Sequence, residues 1–261
     1  SGETADGIYA RSYGGTITVD DIGSATSNGD VFSDSRRRIR ANFAVDADSR
    51  VKSPELDENG DVVEINGRIQ YIYSGGNDIS IQSVDIPKFD HDANASTPDI
   101  ASSNGIRAYS GTGNINIGAR DPDNSDGNGP SGIGDIFVRG NGIDVESDGG
   151  RIDIHVDGKI ESSNNAGIRV EQNGDGRVEI TTNDTIKGEN GAIVLGVYSG
   201  ASDVYVVTNG NVYDKIKLDR SQRDKSDDPV LEAGNVTLTV NASVYAGPID
   251  LDNDNGNITL N

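Results

Sequence analysis

The sequence contains no cysteine, no methionine and no tryptophan, and only four phenylalanines. The lack of cysteine excludes disulfides, thiolate metal sites and cysteine nucleophiles. Apolar residues make up only 33% of the 261 residues, too few for one compact globular core of that length. Basic residues are scarce as well: 22 against 43 acidic ones, a formal charge of −21. Such a surface repels phosphate backbones and anionic lipid, so neither is an expected partner. No stretch has a 3.6-residue apolar period, and neither a membrane span nor a signal peptide is visible.

What is present is repetition. The phrases "GIYA" at Gly7, "GIRA" at Gly105, "GIDV" at Gly142 and "GIRV" at Gly167 share one form. Each is followed, 8 or 9 residues on, by a second phrase: "GTITV" at Gly15, "GNINI" at Gly113, "GRIDI" at Gly150 and "GRVEI" at Gly176. Gly142 to Gly167 is 25 residues and Gly167 to Gly191 is 24. Each unit carries three apolar stations, as in Ile143/Val145, Ile152/Ile154 and Ile160. The stations alternate with period 2, and Gly, Asn and Asp turn the chain between them. Three short strands per unit, stacked unit on unit, make an all-β parallel β-helix. A right-handed winding is expected from the general crossover rule together with the family resemblance given below. About seven rungs are expected over residues 1–261, as a single solenoid belonging to a longer protein. The repeated Gly should mark a corner that needs a positive φ or a close approach.

Long insertions are expected at roughly 20–61, 83–103, 118–134 and 214–232. The first three follow the second-strand phrase and so should leave from one corner, forming a loop face. In the 75 region, "IYSGG" aligns with "AYSGT" and sets Gln70 opposite Ile106.

"GIYARSYGGTITV", "GIRAYSGTGNINI" and "GIDVESDGGRIDI" resemble the β-helical passenger regions of bacterial type V autotransporters. The resemblance covers nearly all of the chain outside the inserts. It implies a Gram-negative protein carried through the outer membrane by a C-terminal β-barrel that this chain lacks. It further implies exposure on the cell surface or secretion, in a family of adhesins, aggregation factors, toxins and carriers of protease or esterase domains.

Candidate chemistry is sparse. Only His91 and His155 could serve a hydrolase triad, and no G-x-S-x-G elbow occurs. Asp153 and Glu179 fall at equivalent outward positions of successive rungs, with Arg151 and Arg177 two residues upstream. These could cleave sugars or form a diagonal charge lattice. Arg107, Asp144 and Arg169 share one outward column of alternating sign. "DPDNSDGNG" offers Asp121, Asp123, Ser125 and Asp126 to a hard cation, yet Asp126 stands where an EF-hand needs Gly and Gly132 where it needs Glu. "DLDNDNGN" at Asp250 is equally incomplete. Arg36, Arg37, Arg38 and Arg40 could hold an anion or neutralise acidic loops. Tyr9, Tyr13 and Tyr109 could stack on sugars. No cofactor is expected.

The expected function is therefore non-enzymatic: adhesion to host cells or bacterial aggregation through loops on a rigid β-helix. A host-cell protein or glycan, or a neighbouring passenger, is the expected partner. A polysaccharide-active lyase or glycosidase and a secreted toxin or signalling ligand are the alternatives.

Overall fold

The computed structural model describes residues 8–11, 17–19, 41–54, 64–65, 68–69, 71–74, 78–81, 84, 86, 102–118, 132–198, 202–220, 234–253 and 256–261. Among these there is no helix. The chain winds as a parallel β-helix with three faces.

The first face stacks Ile8–Arg11, Ala41–Asp48, Ser102–Ser110, Ile143–Ser147, Ile168–Gln172, Ile193–Val197, Ile216–Asp219 and Ile249–Leu251. These strands number turns 1 to 8. The second face stacks Ile17–Val19, Ile79–Ile81, Ile115–Ile117, Ile152–Val156, Val178–Thr182, Val204–Thr208, Val236–Val240 and Ile258–Leu260 in the same order, as one 8-stranded sheet. The third face has Ile136–Val138, Ile160–Ser162, Ile186–Gly188, Val212–Tyr213 and Val244–Tyr245, belonging to turns 3 to 7. Ile86 supplies the third station of turn 2 through a bridge to Ile136.

Register follows the repeat. Ile106, Ile143, Ile168, Ile193 and Ile216 form one inward column, and all are buried. A second inward column grows along the axis: Ala108, Val145, Val170, Leu195, Leu218. An inward column of the second face shrinks over the same turns: Ile115, Ile152, Val178, Val204, Val236. Each fully buried aliphatic side chain contributes about 1.5–3 kcal/mol of transfer free energy. Among the described residues no aromatic side chain enters this core, which accounts for the low aromatic content.

The repeated Gly is explained by close approach. A Cβ on Gly142 would lie 2.5 Å from the carbonyl oxygen of Gly167 in the next turn. At the second phrase both reasons apply: Gly150 has φ 86°, and its Cβ would lie 2.5 Å from Gly113 O.

The expected insertions need redrawing. The 20–61 stretch contains a first-face strand, Ala41–Asp48, in which Val45 and Ala47 pair with Ile106 and Ala108. Val45, not Gln70, is therefore the partner of Ile106. Gln70 lies outside the described residues, and its neighbours Tyr71–Ser74 pair antiparallel with Val51–Pro54. A second antiparallel pair, Glu64–Ile65 with Arg68–Ile69, lies between those two strands in the sequence. The 83–103 stretch begins with core residues Val84 and Ile86 and ends within the strand Ser102–Ser110. In the 118–134 stretch, Ile133 is buried and bridges Val156. The 214–232 stretch opens with the first-face strand Ile216–Asp219.

The departures do not share one corner. In sequence, the long stretches between described stations follow the second strand in turns 1 and 3, the first strand in turns 2 and 7 and the third station in turn 2. Sequence alone missed this because Ala41–Asp48 lacks the Gly-Ile signature. Ala44 takes the place of Gly105 in the register, as Ala192 takes that of Gly167.

Candidate functional site

The outward columns of the first face hold a charge lattice. Asp46, Arg107, Asp144 and Arg169 stand opposite one another in successive turns. The Arg107 guanidinium embraces Asp46 with both Nε, at 2.8 Å, and a terminal nitrogen. Arg169 donates to Asp144 at 2.7 Å and to Glu171. The neighbouring column runs Arg11, Asp48, Tyr109, Glu146, Glu171. Arg50 reaches across it, 3.0 Å from Asp48 and 3.9 Å from Glu146, with its guanidinium 4.7 Å from the Tyr109 ring centre. Arg107 lies 5.1 Å from the same ring. Tyr109 is thus pinned between cations and is no open sugar platform.

Although these side chains face outward, Asp46 is 1% and Asp48 2% exposed. Burial raises the Asp48 pKa, but the Arg50 hydrogen bonds and the charges of Arg50 and Arg11 outweigh it, holding the carboxyl below the usual range. Glu146 is pushed up by burial and by Glu171 and Asp148, against the pull of Arg50 and Arg169. Burial, then the charges of Asp144 and Glu146, push the Tyr109 phenol up to about 12.

The second face carries the other expected set. Asp153 and Glu179 are register partners. Arg151 binds both, at 2.8 and 3.2 Å, and Arg177 binds Glu179 at 2.7 Å. Burial raises the Asp153 pKa more than these arginines lower it. The arrangement is the diagonal lattice, with each carboxylate tied to a guanidinium. His155 points outward as period 2 requires and lies 3.0 Å from Asp157. Asp157 also accepts from Asn183 at 2.7 Å and from the Gly132 backbone at 2.9 Å.

That contact ends a feature the sequence reading missed. At the corner after the second face, the amide of Asn241 donates to Asn209 at 2.7 Å, Asn209 to Asn183 at 2.8 Å, and Asn183 to Asp157. The signal was available: Asp157, Asn183 and Asn209 recur every 26 residues, one place past the second strand. One place earlier, inside the same corner, stand Val156, Thr182, Thr208 and Val240. The hydroxyls of Thr182 and Thr208 are buried without a hydrogen-bond partner.

The outward chemistry changes along the axis. In turns 4 and 5 the second and third faces are charged; Glu161 sits 3.0 Å from Lys159 and 3.6 Å from Lys187. In turns 6 and 7 the equivalent stretches 204–213 and 236–245 contain no Asp, Glu, Lys or Arg, while Asp203, Asp214 and Lys215 flank the first. Their outward residues are Tyr205, Val207, Thr237 and Thr239 on the second face and Tyr213 and Tyr245 on the third. The Tyr213 and Tyr245 rings stack at 4.9 Å, and the residues are 38% and 44% exposed.

Asp250 stands in a first-face strand opposite Lys217. Among the described residues no three acidic or histidine side chains converge to hold a metal. His91, Arg36–Arg40, Asp121, Asp123, Ser125, Asp126 and Tyr13 lie outside the described residues, as does the side chain of Tyr9. In comparisons with known proteins, no family model, curated protein or solved structure matches the chain.

Proposed function

We propose that the chain is part of an exported bacterial surface protein, of the kind exemplified by autotransporter passengers. In this reading a β-barrel elsewhere delivers it to the outside of a Gram-negative cell. There it acts without catalysis, attaching the cell to host tissue or to its own kind. The observation that carries this reading is the division of the chain into shaft and departures. Residues 132–198 and 202–220 wind through regular turns. In turns 1 to 3, by contrast, stretches 20–40, 51–74, 87–101 and 119–131 intervene between or beyond the stacked stations. A further stretch, 221–233, intervenes in turn 7. A stiff shaft with added segments suits reach and contact.

The carboxylate–arginine sets that a sugar-cleaving enzyme would use are engaged with one another. This supports the non-enzymatic reading over the lyase or glycosidase. The test is attachment: beads coated with the chain are offered to cultured host cells and to one another. Saturable attachment or bead clumping is expected, together with no turnover of uronic-acid polymers. Failure of both attachment and clumping overturns the proposal. Removing residues 52–73 tests one departure while sparing Ala41–Asp48; a larger cut through 20–61 would delete a strand of the shaft.

A further inference from the structure

In a chain with 25% charged residues, the uncharged second- and third-face strands of turns 6 and 7 stand out, bordered by Asp203, Asp214 and Lys215. It begins at Tyr205, whose ring meets the Arg177 guanidinium at 4.3 Å on the side of turn 5. It runs over Val207, Thr237 and Thr239, rounds the corner at the exposed Asn209 and Asn241, and reaches the stacked Tyr213 and Tyr245. In turn 8, Thr259 extends the threonine column. Tyr109 has Arg50 and Arg107 over its ring, Phe137 has Lys159, and Tyr205 has Arg177. Tyr213 and Tyr245 stack on each other at the end of the column that Lys187 precedes, and they stay exposed.

We infer that this band is a docking surface for an uncharged glycan. Hydroxyls and primary amides both donate and accept, as a sugar hydroxyl does. Fixed at the interstrand spacing of about 4.8 Å, they form a regular polar grid. The tyrosines add apolar area beside a polar tip, which suits the mixed surface of a pyranose. The charge distribution selects the ligand. The −21 chain repels acidic sugars, while the band has no ion pairs to strip of water and no charge to leave unpaired beneath a neutral polymer. This inference deepens the adhesion reading and rests on it for its biological use. It places that contact on the shaft rather than on the departures of turns 1 to 3.

The full chain is tested against an array of neutral hexose and N-acetylhexosamine oligosaccharides, with sialylated and sulfated glycans alongside. Binding to neutral members and none to acidic ones is expected. The double change Thr237→Glu/Thr239→Glu should weaken it by about tenfold or more, and Tyr213→Ala/Tyr245→Ala by about fivefold to tenfold. Asp153→Asn, on the charged turns, should leave it unchanged. Thr259→Glu is an independent variant at an exposed site. Circular dichroism checks that each protein keeps its fold. The inference is overturned if no neutral glycan binds, or if folded variants bind as well as the parent. It is also overturned if cell attachment survives glycosidase treatment but not protease treatment, which would assign the surface to a protein. Attachment to cells with no glycan binding sinks this inference and leaves the adhesion reading standing. Glycan binding without attachment does the reverse.

Discussion

Turns 4 and 5 and turns 6 and 7 are built on one backbone plan. Both stack in unbroken parallel register, and both bury Ile, Val and Leu in the same inward columns. Outside, they have little in common. On the second and third faces, turns 4 and 5 carry Arg151, Asp153, Arg177 and Glu179 in mutual contact, whereas turns 6 and 7 carry Thr, Asn and Tyr. The inward half of each strand secures the fold, and the outward half is free to carry any chemistry that does not leave like charges opposed.

That separation can be broken most severely from within. Ile180→Ala in turn 5 and Leu238→Ala in turn 7 remove residues that are 0% and 1% exposed. Each should cost about 2–5 kcal/mol in denaturant titrations. Similar losses would show that the core is indifferent to its decoration; a much smaller loss in turn 7 would show that the charged shell shares the burden. Next in size is Asp46→Ala on the first face. It leaves the Arg107 guanidinium without its main partner and should cost about 2–3 kcal/mol, below the figure for a fully buried pair because Arg107 is partly exposed. A loss under about 0.5 kcal/mol would reduce this lattice to surface ornament.

Smaller and opposite in sign are Thr182→Val and Thr208→Val, one in each region. Val156 and Val240 already occupy that corner column, so valine fits, and the change removes a buried hydroxyl with no partner. A gain of about 1 kcal/mol each is expected, read as a raised melting temperature. Destabilisation by either would mean that the hydroxyl does have a use there.

Smallest is the pH response, which should be confined to the charge lattice of the first face. Asp48 has a folded pKa below its unfolded value. Its contribution is therefore present above about pH 3.9 and disappears as pH falls through the folded value. Tyr109, raised to about 12, stabilises fully below pH 10 and loses that contribution as pH climbs from 10 toward 12. Hydrogen exchange should register both limbs in turns 2 to 5 and neither in turns 6 and 7, and Tyr109→Phe should abolish the alkaline limb.

Much of this was legible in the residues. The Gly-Ile phrases and their 25-residue pitch fix the columns, and once the columns are known the pairing of Arg107 with Asp144 and of Asp153 with Glu179 follows. What escaped did so for physical reasons. Val45 and Ala47 serve the core as well as Ile106 and Ala108 do, because a pleated inward site asks for small or branched apolar bulk and not for a particular phrase. Ile216–Asp219 was hidden because it begins two residues after a turn at Asp214, whose positive φ (84°) let a non-glycine stand at a corner. The asparagine row went unseen because Asn at a corner is ordinary turn vocabulary; only its recurrence at one station distinguishes a stacked amide from a bend.

The pitch itself carries one more consequence. Ile143 meets Ile168 and Ile168 meets Ile193, so hydrogen-bonding partners stay about 25 positions apart however long the chain becomes. Lengthening such a protein adds templates for the next coil without enlarging the loops that must close. Winding can therefore advance behind a chain threading vectorially through a pore, each completed coil serving as the mould for its successor. Even the stretch between Asp48 and Ile79 slows only one such closure, since ring-closure entropy rises merely with the logarithm of length, about 0.6 kcal/mol per doubling.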